Sequence, residues 1–131
     1  MNTWLLVAGL IVLALALGHA TIGIRWVLPG VAGVRLPGTP FGSGALSLGM
    51  VRFTWHVLTV MLVGFAALLL TLATAPDIDA RALVLQWIAA LWFAATATAL
   101  WTARRRPRSL LNFPVAFLFP VVAVMTWIAS R

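Results

Sequence analysis

Apolar residues gather into four long stretches along this chain, with very few polar interruptions. They run from about Trp4 to Val27, Leu48 to Ala75, Ala82 to Ala103 and Leu110 to Ala129, and none contains an acidic residue. A helix rises ~1.5 Å per residue, so ~20 apolar residues cross the ~30 Å hydrocarbon core of a bilayer. The pattern predicts an all-α, polytopic membrane protein, one domain over residues 1–131 with four transmembrane helices arranged as a four-helix bundle.

The connecting segments differ in kind. Residues 28–47 carry Pro29-Gly30, Pro37-Gly38-Thr39-Pro40 and Gly42-Ser43-Gly44, the punctuation of a loop. Pro76-Asp77-Ile78-Asp79 reads as a tight acidic turn. Pro76 lacks the N–H that would continue the second helix. Asp77 or Asp79 would cap the third helix, with Asp77 placed to pair with Arg81. Arg104-Arg105-Arg106-Pro107-Arg108 reads as a short basic turn. Leu5 to Leu17 followed by Gly18-His19-Ala20 has the length of a secretory signal. No basic residue precedes it, so it is expected to be a retained span.

Charge then orients the helices. The chain carries 9 basic residues, all arginine, against 2 acidic ones. Alternating spans put Arg25, Arg35, Arg52, Arg104, Arg105, Arg106 and Arg108 on one side, with only Arg81 and Arg131 on the other. Basic residues collect on the cytoplasmic side, so both termini are expected outside (N-out/C-out). Trp4, Trp87 and Trp127 fall near the outer helix ends, and Trp26, Trp55 and Trp101 near the inner ends. Such belts mark the headgroup level. Arginine without lysine, and heavy use of alanine, point to a bacterial inner membrane with periplasmic termini.

Composition narrows the chemistry. Only 8% of residues are charged and 63% are hydrophobic, against about 25% charged in a soluble domain. The arginines have a topological explanation, so no nucleic-acid partner is expected. Absence of Cys removes disulfides, thiolate nucleophiles and iron–sulfur ligation. The glycine-rich loop lacks the phosphate-loop pattern and its lysine. Both Asp residues are expected across the membrane from both histidines, which leaves no Ser-His-Asp arrangement and no metal site.

Two features remain. Ala90, Ala94, Thr98 and Thr102 recur every fourth residue, and Ala14 and Gly18 do likewise on the first helix. Small side chains let helices approach closely in lipid, where no water drives them together. Pro120 should kink the fourth helix and free the Ala116 carbonyl. The second feature is His19 and His56, at similar depth on successive helices. Each can hydrogen-bond a threonine, a carbonyl or a tryptophan-lined interface. Alternatively they ligate a haem b, with Arg25, Arg35 or Arg52 on its propionates, or line a quinone or lipid-headgroup site. The expected function is an accessory or structural subunit, not an enzyme, that packs against a membrane complex or itself within the lipid bilayer. The alternative is a haem b-binding or quinone-linked redox subunit using His19 and His56.

Overall fold

The structure, a computed structural model, describes residues 1–38, 42–75, 81–103 and 115–131, with side chains at 99, 101–103 and 115–116 set aside. These residues form four helices, α1 (Thr3–Ala32), α2 (Gly44–Thr74), α3 (Arg81–Ala103) and α4 (Val115–Ala129). No strand occurs among the described residues. Helices α1 and α2, and α3 over Arg81–Thr98, are long and apolar enough to cross a membrane. The apolar part of α4, Phe117–Ala129, is shorter. Its expected start at Leu110, the acidic turn with Asp77 and Asp79, and the basic turn at 104–108 lie outside the described residues.

The first two helices run past the expected loop boundaries. Helix α1 continues through Pro29-Gly30 to Ala32, and α2 begins at Gly44 rather than Leu48. Pro29 would normally break a helix, because its ring meets the carbonyl four residues back and its nitrogen has no proton. Here a wide π turn, Gly23–Val27, precedes it, and the Leu28 N–H reaches back to the Gly23 carbonyl. Pro29 then falls in the first turn of the Leu28–Ala32 segment, where its missing proton costs little.

The chain divides into two compact units. In the first (Met1–Val12 with Phe65–Arg131), Leu5, Ala8, Val12, Leu69, Leu85 and Val122 are buried. Asn2 caps α1 by accepting from the Leu5 N–H at 3.2 Å, and its own N–H donates to the Ala73 carbonyl at 2.9 Å. Gly9 lets α1 close on α2: a Cβ there would lie 2.8 Å from Leu70 Cγ. Helices α3 and α4 pack together, and Trp92 lies between Phe65 and Phe119, with ring centroids 5.9 and 5.0 Å away. Buried Thr126 gives its proton back to its own helix, 2.9 Å from the Val122 and Ala123 carbonyls. Pro120 sits inside α4, which continues through it.

The second unit, Leu13–Gly64, holds the rest of α1 and the first part of α2. Outward side chains on its α2 segment include large apolar ones, with Phe53 69% and Val60 70% exposed, beside exposed Arg52, Thr54 and His56.

Candidate functional site

Within residues 13–64, α1 and α2 are fastened by three side chains. Trp55 projects from α2 onto α1 at Gly23, where a Cβ would overlap the indole. Its indole N–H donates to the His19 carbonyl at 3.2 Å. The indole also stacks on the His19 imidazole, with centroids 4.1 Å apart and an 11° interplanar angle. His19 Nδ1 lies 2.9 Å from Thr59 Oγ1. Thr59 is the middle residue of α2 (Gly44–Thr74), and His19 is close to the middle of α1. The bond therefore joins the two helices near mid-length.

The proton on Thr59 has two acceptors within reach. Thr59 Oγ1 is also 3.1 Å from the Trp55 carbonyl, one turn back on its own helix. A hydroxyl has one proton to give. Given to the Trp55 carbonyl, that proton leaves Thr59 to accept from Nδ1–H; given to Nδ1, it leaves the imidazole proton on Nε2. Nε2 makes no hydrogen bond among the described residues.

The other candidates are placed differently. His56 is exposed, as are Arg25, Arg35 and Arg52. Successive residues of a helix are ~100° apart, so Trp55 can face α1 while His56, one step on, does not. The ring face of His19 is taken by Trp55 rather than by His56. That arrangement gives a haem held by both imidazoles no support. Arg52, His56 and Thr59 are spaced four and three apart along α2, and of the three only Thr59 turns inward.

An open groove of ≈ 340 Å³ adjoins the clasp, lined by His19, Met50, Val51, Thr54, Trp55 and Leu58. Thr54 has no hydrogen-bond partner among the described residues. Most threonines inside the helices donate to a carbonyl one turn back, as Thr59, Thr71, Thr96 and Thr126 do. Trp55 and Thr54 were not singled out together by sequence. The signal available was Trp55 beside His56, with a glycine at position 23 for a ring to fill.

Along α3, Ala90, Ala94 and Thr98 are exposed, while Leu85, Ile88, Ala89 and Trp92 are buried. Thr98 Oγ1 donates to the Ala94 carbonyl at 2.9 Å. The Thr102 side chain is outside the described set. On α1, Ala14 is exposed, and a Cβ at partly exposed Gly18 would meet nothing within 4 Å. Within the chain, close approach occurs at Gly9 and Gly23. Comparison with protein-family models, curated proteins and solved structures finds no match to this chain.

Proposed function

We propose that this protein is a non-enzymatic subunit embedded in a bacterial inner membrane, with both termini periplasmic, that works by packing α3 against another membrane chain or a second copy of itself. The observation that carries this reading is that α3 has two different faces. Large residues (Leu85, Ile88, Trp92) are buried within the chain, while the small ones (Ala90, Ala94, Thr98) are exposed. Contacts between helices in lipid come from close backbone approach. A small-residue row turned away from its own core is suited to that contact with something outside.

Ala94→Leu with Thr98→Leu tests this directly. The pair adds bulk to the exposed face and leaves the buried face unchanged. The expected outcome is loss of the native assembly on size-exclusion chromatography and cross-linking, with membrane insertion unchanged. An assembly of unaltered size and cross-linking pattern would remove α3 from the interface. The haem alternative has less behind it, because His56 is exposed and the ring that meets His19 is Trp55 rather than His56.

A further inference from the structure

Residues 13–64 contain Arg25, Arg35 and Arg52 and no acidic residue at all. The three arginines are exposed, and so is His56. Contacts of His19 with Thr59 and of Gly23 with Trp55 show that α1 and α2 run antiparallel here. Arg25 lies two residues beyond Gly23, and Arg52 three before Trp55. Both therefore sit in the same direction from that contact, by ~3 and ~4.5 Å, at one depth. Exposed Trp26 adjoins the same level, and tryptophan favours the headgroup region of a bilayer. On α2, Arg52 and His56 are four apart and share a face. Gly49, one turn before Arg52, has open space where a Cβ would be. His56 makes no hydrogen bond among the described residues.

We infer that Arg52 and His56 bind the phosphate of an anionic phospholipid on the outer face of α2. Charge selects the occupant. A guanidinium presents paired N–H donors that match two phosphate oxygens, and either tautomer of His56 has an N–H to add. No carboxylate within residues 13–64 competes for them. Gly49 leaves room for the headgroup, and exposed Val60 and Val63, further along the same face, meet the acyl chains. The spread of charge favours lipid over an acidic partner chain. Gly23 faces α2, and two residues on is about half a turn, so Arg25 points away from α2 while Arg52 lies on α2 itself. A partner chain covers one side of such a pair, whereas headgroups surround it. The inference rests on the membrane embedding proposed above and is independent of the α3 interface.

The test is native mass spectrometry of the full chain in detergent, titrated with phosphatidylglycerol and separately with phosphatidylcholine of the same acyl chains. Phosphatidylglycerol should bind the more tightly. Arg52→Gln should weaken it about fivefold, the increment of one arginine beside an anionic surface, and leave phosphatidylcholine nearly unchanged. His56→Gln should weaken it less. Arg131→Gln is the control: it removes the same charge outside residues 13–64, from a side chain lying over Trp127, and should change nothing. Both test positions are exposed, and circular dichroism checks that each variant keeps its helix content. Equal binding of the two lipids overturns the site and leaves the arginines to an acidic partner. Equal losses in Arg52→Gln and Arg131→Gln overturn it in favour of net charge alone. Displacement of the lipid by excess inorganic phosphate overturns the lipid as its source. Uptake of neither lipid overturns it together with the membrane embedding it rests on.

Discussion

Gly23 and Gly18 lie five residues apart on one helix and face opposite circumstances. A Cβ at Gly18 meets open space, whereas at Gly23 it would overlap an indole held by a stack and a hydrogen bond to His19. Alanine in place of glycine in a helix gains roughly 0.5–1 kcal/mol of backbone entropy, but forcing a group into a packed site costs about 1–3 kcal/mol. Trp55 cannot swing aside without losing both of its contacts with His19, so the steric cost should prevail. Gly23→Ala is expected to destabilise the protein by about 1–2 kcal/mol, and Gly18→Ala to leave it unchanged or slightly firmer. Unfolding in mixed micelles titrated with a denaturing detergent reads both. Equal stability of the two variants would mean that Trp55 does not hold α1 as described.

At the level of elements, the π turn and the two-faced α3 show how a nearly uniform apolar sequence acquires direction. The turn at Gly23–Val27 precedes Pro29, which falls in the first turn of the Leu28–Ala32 segment, where its missing proton costs little. In α3 the division of labour yields a paired expectation. Ala89 is 2% exposed, so Ala89→Leu overpacks the buried face and should lower stability by about 1–3 kcal/mol. Ala94→Leu, one turn along on the exposed side, should leave the fold's stability within about 0.5 kcal/mol. Detergent-denaturation midpoints of the two variants check this. Equal losses would mean that α3 does not have one inner and one outer face.

For the whole molecule, the proposed orientation rests on arginine. The first and third connections and the adjacent helix ends carry Arg25, Arg35, Arg52 and the Arg104–Arg108 group, against Arg81 and Arg131 opposite. The chain has no cysteine, so single introduced thiols report without background. Ser130→Cys should react with a membrane-impermeant maleimide in intact spheroplasts. Ser43→Cys should react only after permeabilisation. The reverse pattern would invert the proposed topology, and labelling of both in intact cells would mean that α2, α3 and α4 do not all cross.

Helix class and the approximate position of each helix were legible in sequence, since long apolar runs admit few backbone structures once water is excluded. His19 as a residue to examine was legible too, because an imidazole among apolar neighbours is conspicuous. Which faces meet was not. Helices that are apolar all round give no periodic sign of which side is inward, so the small residues of α3 could be read as a packing row but not assigned a partner. The same uniformity hid the close approaches at Gly9 and Gly23, while Gly18 drew attention by its spacing from Ala14. Whether His19 met His56 or Trp55 turned on one step of ~100° around α2, below what apolar patterning can resolve. Tertiary packing made that choice, and with it the groove beside His19.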